Sequence, residues 1–165
     1  MPIVLIGVPG AGKSTVGQLL AEKLKLNFVD TDLVIEQQAG KSISDIFVQD
    51  GESAFRALEK QVVADAISND ECVVSVGGGA LIDADSRELV KKQECVWLQA
   101  GLSQAVDRVG MNKNRPLLLG NVRGQLADLM AAREPLYIEC AKHVVDTNNM
   151  TPDQVVEQII ETVGK

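Results

Sequence analysis

The stretch Gly7-Val8-Pro9-Gly10-Ala11-Gly12-Lys13-Ser14 decides how this chain folds. It is a complete G-x-x-x-x-G-K-[ST] phosphate-binding loop, and its flanks have the form the motif needs. The apolar run Ile3-Val4-Leu5-Ile6 precedes it as a strand. Val16, Leu19, Leu20 and Leu24 follow at helical spacing. In such a unit the glycines let backbone N–H groups turn inward around phosphate oxygens, and the helix N-terminus adds its partial positive charge. Lys13 can reach the outer phosphates, and the Ser14 hydroxyl can hold a magnesium ion. A glycine-rich turn without a ligand is the alternative, and the strand–loop–helix context weighs against it.

Outward from the loop, short apolar runs alternate with helical patterns. Strands are expected over residues 3–6, 27–29, 72–76, 94–98 and 143–145. Helices are expected over 14–25, 33–38, 44–49, 52–68, 85–92, 103–109, 125–140 and 152–163. The last has Pro152 in its first turn after Thr151, a start signal, and Val155, Val156, Ile159, Ile160 and Val163 on one face. Strands alternating with helices predict a parallel sheet covered on both sides.

The bulk composition narrows the function. A chain of 165 residues predicts one domain with a core that needs no staples. Aromatic residues are only 3%, so the core must be aliphatic. The net charge of −7 argues against a nucleic-acid partner, and an anionic ligand must be held by a few locally placed basic groups. Cys72, Cys95 and Cys140 lie in apolar surroundings without metal-ligand spacing, so they read as small buried hydrophobes. Free thiols fit a reducing cytoplasm. No secretory leader and no run of about 20 apolar residues is present, so no membrane partner is expected. A monomer is expected.

Four further features carry chemistry. Asp30-Thr31-Asp32 follows the second strand, on the sheet edge where the carboxyl ends of strands line a ligand crevice. One carboxylate can orient a metal's water shell, and the other can orient an attacking hydroxyl or take its proton. An acidic N-cap is the competing reading, expected of Asp32 in any case. Gly77-Gly78-Gly79 follows the third strand, where close backbone approach to a ligand offsets the entropic cost of three glycines; a wide turn is the alternative. Many phosphate-loop proteins hold magnesium with an aspartate at that strand end. Here Ser75 and Val76 stand there, so Asp30 becomes the candidate metal ligand beside Ser14.

Arg56, Arg115 and Arg133 suit a carboxylate or phosphate by their planar fork; pairing with Glu59 or Glu134 is the alternative for Arg56 and Arg133. Residues 111–124, rich in Asn and Gly with Lys113, Arg115 and Arg123, read as a functional loop or a surface insertion. His143, the single histidine, sits beside an apolar strand without partners and reads as structural.

Taken in order, these pieces resemble shikimate kinase across essentially the whole chain. The carriers are Gly-Val-Pro-Gly-Ala-Gly-Lys-Ser-Thr, Phe-Val-Asp-Thr-Asp, Gly-Glu-Ser-Ala-Phe-Arg-Ala-Leu-Glu, Val-Gly-Gly-Gly-Ala, Asn-Arg-Pro-Leu-Leu and Arg-Glu-Pro-Leu-Tyr. The resemblance implies a three-layer α/β/α P-loop kinase fold with a central five-stranded parallel sheet, in a single domain over 1–165 with a mobile lid at about 111–124. It implies transfer of the γ-phosphate of ATP to the 3-hydroxyl of shikimate.

Residue by residue, it implies that Gly10, Ala11, Gly12, Lys13, Ser14 and Thr15 bind the nucleotide, with Arg108 and Pro152 toward the adenine. Ser14 and Asp30 would hold Mg2+. Asp32 would act as base and contact the substrate hydroxyls. Arg56 and Arg133 would bind the carboxylate, Gly78 and Gly79 would offer backbone contacts, and Arg115 would close over the phosphates. Several relatives carry an arginine just after Asp-Thr-Asn, where this chain has Asn149 and Met150. A related small-metabolite kinase, such as a gluconate kinase, and a nucleotide-dependent regulatory module are the alternatives. A pure switch has no use for an acceptor pocket.

Overall fold

Five strands, β1 (Ile3–Ile6), β2 (Asn27–Asp30), β3 (Cys72–Ser75), β4 (Glu94–Gln99) and β5 (His143–Asp146), form one sheet in the order β2-β3-β1-β4-β5. Every pairing is parallel. The computed structural model describes residues 1–110 and 122–164, with the side chains of Ser103, Arg108, Val109, Gly110 and Val122 left out. The central strands β1 and β3 are buried at every position, while edge strand β2 is not. A parallel sheet covered on both faces needs that uniform apolarity at its centre. Three strands run one residue further than their apolar stretch, because Asp30 pairs with Ser75 and Gln99 with Asp146.

The helices are α1 (Lys13–Leu24), α2 (Thr31–Ala39), α3 (Ile43–Gln49), α4 (Glu52–Ile67), α5 (Ala84–Lys91), α6 (Leu102–Gly110), α7 (Val122–Cys140) and α8 (Pro152–Val163). A short 3₁₀ turn spans Ala80–Ile82. In α8 the Thr151 side chain accepts from Gln154 N–H while the Gln154 side chain accepts from Thr151 N–H, a capping box that starts the helix at Pro152.

The connection from β1 to β2 steps one way across the sheet, and all later connections step the other way. Right-handed crossovers then send α1 to one face and α4, α5 and α7 to the other. The packing agrees: α1 lies against α8, and α5 lies against α4 and α7. The loops after neighbouring strands β1 and β3 therefore diverge, and a crevice opens at their carboxyl ends.

Two cores hold this arrangement. The larger takes both faces of the sheet. The smaller, Ile35, Ile46, Phe55 and Val62, lies among α2, α3 and α4, with the Phe47 and Phe55 rings 4.8 Å apart. The three cysteines are buried and free, as expected of small core residues. Burial pushes all their thiols up, Cys140 to about 11.

The loop expected over 111–124 is corrected at its end: Val122, Arg123 and Gly124 belong to α7. Buried Leu126, with Leu129 and Met130 packed behind it, anchors the helix start. A glycine costs a helix only about 1 kcal/mol against alanine, too little to stop it. Residues 111–121, with Arg115, lie outside the described residues.

Candidate active site

The loop after β1 is shaped by its glycines. Gly7, Gly10 and Gly12 have φ of 150°, 86° and 92°. A Cβ on Gly7 would stand 2.8 Å from the Leu98 carbonyl oxygen, so side chains are excluded there. Gly12 caps α1 without a side chain, which leaves the helix N-terminus to whatever binds the loop. Lys13 is 9% exposed as a residue, and its ammonium donates to the carbonyls of Gly7 (2.8 Å) and Val8 (3.1 Å). One positive charge thus sits within the loop's own curve.

Asp30 does two jobs at once. Its Oδ2 accepts from Ser14 Oγ at 2.6 Å. Its Oδ1 accepts from the N–H groups of Asp32 (3.0 Å) and Leu33 (3.4 Å). The expected helix cap is therefore corrected: Asp30, not Asp32, caps α2, which begins at Thr31. Asp32 falls in the first turn, its carboxylate released from capping. The Ser14–Asp30 pair joins a hydroxyl and a carboxylate, hard oxygen donors that suit Mg2+. That ion fills its shell from one or two carboxylates, water and phosphate.

The glycine run after β3 faces this loop across the crevice. Thr31, fully buried, donates to Ser75 O (3.3 Å) and accepts from Gly77 N–H (3.2 Å), tying α2 to the run. Added Cβ atoms show what each glycine makes room for. At Gly77 one would stand 2.6 Å from Asp32 Oδ1, at Gly78 2.9 Å from Pro9 Cδ, and at Gly79 2.6 Å from Arg56 Nη1. Gly78 O accepts from Arg133 Nη1 at 2.9 Å and from the Tyr137 hydroxyl at 3.0 Å. Arg56 of α4 and Arg133 of α7 thus meet the same glycine run from separate helices. The pairing of Arg133 with Glu134 does not form, whereas Arg56 does pair with Glu59 at 2.8 Å.

Glu59 is the charged residue of this end that sequence reasoning treated only as a helix partner. Burial pushes its carboxyl above the ordinary glutamate value; the Arg56 hydrogen bond and charge oppose that, Asp32 adds to it and Arg133 opposes it. Asp32, Arg56, Glu59 and Arg133 therefore form one electrostatic cluster.

A cleft of about 340 Å³ runs along the phosphate-binding loop as far as Asp32 and Gly77. The phosphate-binding loop from Gly10 through Ser14 and Thr15 lines one wall, Asp30, Asp32 and Gly77 the next, and Thr147, Pro152 and Val155 the far wall. Pro152, expected toward the adenine, lines this cleft. Thr147 and Val155 were missed. Thr147 is held by N–H and Oγ1 donation to Gln99 O at 2.9 and 3.2 Å. The turn beyond it places Asn149 at φ 61°, a conformation asparagine tolerates.

Arg108 lies in α6 with its side chain outside the described residues. His143 opens β5, at the strand end away from the cleft, and bonds Glu94 Oε2 at 3.0 Å, a structural contact as expected. Chemically, the cleft suits a polyphosphate along its loop, with Asp32 on its wall, and the two arginines at the neighbouring glycine run suit a small carboxylate.

The family model described as shikimate kinase matches residues 9–164. A shikimate kinase of Thermobifida fusca is 48% identical over 156 residues, covering 94% of this chain and 91% of that protein. One from Streptomyces coelicolor is 47% identical over 161 residues, covering 98% and 94%. The solved structure of the Acinetobacter baumannii shikimate kinase in complex with shikimate superposes with a TM-score of 0.95 at 37% identity, covering 98% of this chain and 92% of that one.

Proposed function

Because the chain belongs to the shikimate kinase family, we propose that it transfers the γ-phosphate of ATP to the 3-hydroxyl of shikimate. One observation carries the acceptor side: Arg56 and Arg133 come to the adjacent glycines Gly79 and Gly78, next in the chain to the Gly77 that lines the phosphate-loop cleft with Asp32. Two guanidinium forks at one place suit a single carboxylate.

In this reading the N–H groups of Gly10, Ala11, Gly12 and Lys13 cradle the phosphates, and the Lys13 ammonium neutralises charge developing on the transferred group. Thr15 would bind the nucleotide, with Arg108 and Pro152 contacting the adenine side. Arg115 would add positive charge over the phosphates, and residues around it would exclude water, which otherwise competes with the acceptor. Ser14 and Asp30 would hold Mg2+, which when bound draws charge from the phosphate oxygens. Asp32 orients the acceptor hydroxyl and takes its proton. Positioning is most of the work, since phosphoryl transfer needs little covalent help.

We read the protein as one kinase domain working as a cytoplasmic monomer, without nucleic-acid or membrane partners. The net charge of −7 supports the first exclusion. Among the described residues no helix is long and apolar enough to cross a membrane. A coupled ADP-release assay over a panel of hydroxy acids tests the reaction. Shikimate should stimulate ADP formation and gluconate should not; ADP release that no acceptor changes would overturn the reading.

A further inference from the structure

The Gly78 carbonyl accepts two hydrogen bonds, and both donors come from one helix. Arg133 and Tyr137 are four residues apart on α7, hence on one face. In a trans peptide the C=O and the following N–H point in opposite directions. A Gly78 carbonyl held toward α7 therefore turns the Gly79 N–H away from that helix, and the Arg56 guanidinium stands against the same residue, with Nη1 2.6 Å from where a Gly79 Cβ would lie. Among the described residues that N–H has no hydrogen-bond partner. The peptide is flanked by glycines, so its own backbone does little to fix its plane.

We propose that Tyr137 is a positioning residue of the acceptor site: its hydroxyl locks the Gly78–Gly79 peptide so that the Gly79 N–H faces the acceptor's carboxylate end. The inference rests on the shikimate kinase reading above. Tyr137 is built for a fixed part. It is 2% exposed, and its ring packs on Trp97 with centroids 5.6 Å apart. Burial also pushes the phenol's ionisation upward, which keeps it a neutral donor. With the hydroxyl in place, Arg133 holds the same carbonyl with one nitrogen. Without it, the arginine carries the carbonyl alone and both swing more freely. A peptide plane that must be ordered on binding weakens the acceptor, not the nucleotide.

The test uses the full chain with Tyr137→Phe, which keeps the ring and removes only the hydroxyl. Wild-type protein must first show shikimate-dependent ADP formation; its failure there would strike the functional reading, not this proposal. Given that activity, the variant should raise KM for shikimate roughly fivefold or more, with KM for ATP within about twofold. Equal changes for both substrates, or none for shikimate, would overturn the proposal. Tyr137 is the single tyrosine, so 3-fluorotyrosine incorporation labels it alone. Should the variant not fold, fluorine NMR of the labelled wild-type chain decides. The resonance should move on adding shikimate and hold still on adding ADP, and a resonance indifferent to shikimate would refute the assignment.

Discussion

At the phosphate-binding loop the chain offers backbone from one contiguous stretch. At the proposed acceptor end beside it, side chains from α2, α4 and α7 gather on a glycine run. The first is set in the large core, since Val8 and Ala11 belong to it. The second leans on the smaller core, where Phe55 and Val62 of α4 anchor the helix carrying Arg56 and Glu59. The difference teaches a division of labour. Phosphate is a common ligand and needs only N–H groups at a helix start, whereas a particular acceptor must be read by charges placed from several directions. Thr31 couples the two ends, since it sits between Asp30, the proposed metal ligand, and Asp32, the proposed base, while bonding the glycine run.

If the two ends are separable, a change at one should spare the other. The largest effect is expected for Asp32→Asn, which should lower kcat on the order of a hundredfold to ten-thousandfold while nucleotide affinity stays near wild type. Fluorescent-nucleotide titration beside turnover checks this, and loss of nucleotide binding would merge the two ends into one. Next, Arg133→Ala should raise KM for shikimate roughly ten- to hundredfold, as expected for a lost charge-assisted hydrogen bond, with ATP little affected. Comparable losses for both substrates would contradict a carboxylate clamp.

The smallest effect sharpens the comparison through pH. Burial raises the Glu59 carboxyl in the folded chain, so the folded state holds that proton more tightly than the unfolded one. Its contribution to stability is then complete below the ordinary glutamate value of 4.5 and is lost as pH rises through the raised folded value. Denaturant titrations of wild type and Glu59→Gln should show the wild type losing ground as pH climbs through that window, by at most about 1.4 kcal/mol per pH unit. A difference that grows in favour of the wild type would mean the arginines outweigh burial.

What could be read before the structure follows the same division. The phosphate loop was legible because its residues are adjacent and its flanks have the right period. β1 and α8 match their expected bounds, the latter because Thr151 and Pro152 announce its start. Asp30 was read as a metal-side group but not as the cap of α2, since two aspartates one residue apart are equal candidates until the backbone chooses the helix start. That Arg56 and Arg133 reach one glycine run was beyond spacing arguments, because only the fold brings α4 and α7 to one loop. Thr31 and Tyr137 fall inside recognised motifs, but nothing local in the sequence told what their hydroxyls bond. A buried hydroxyl declares its partner only when a distant carbonyl arrives beside it. Arg115 stays an expectation from the family pattern, outside the described residues.

The most direct test is a structure of the protein with ADP and shikimate bound together. The carboxylate should lie between the Arg56 and Arg133 guanidinium groups, beside the Gly79 N–H, with the 3-hydroxyl turned to Asp32. A carboxylate seated away from both arginines, with Asp32 facing no hydroxyl, would contradict that arrangement.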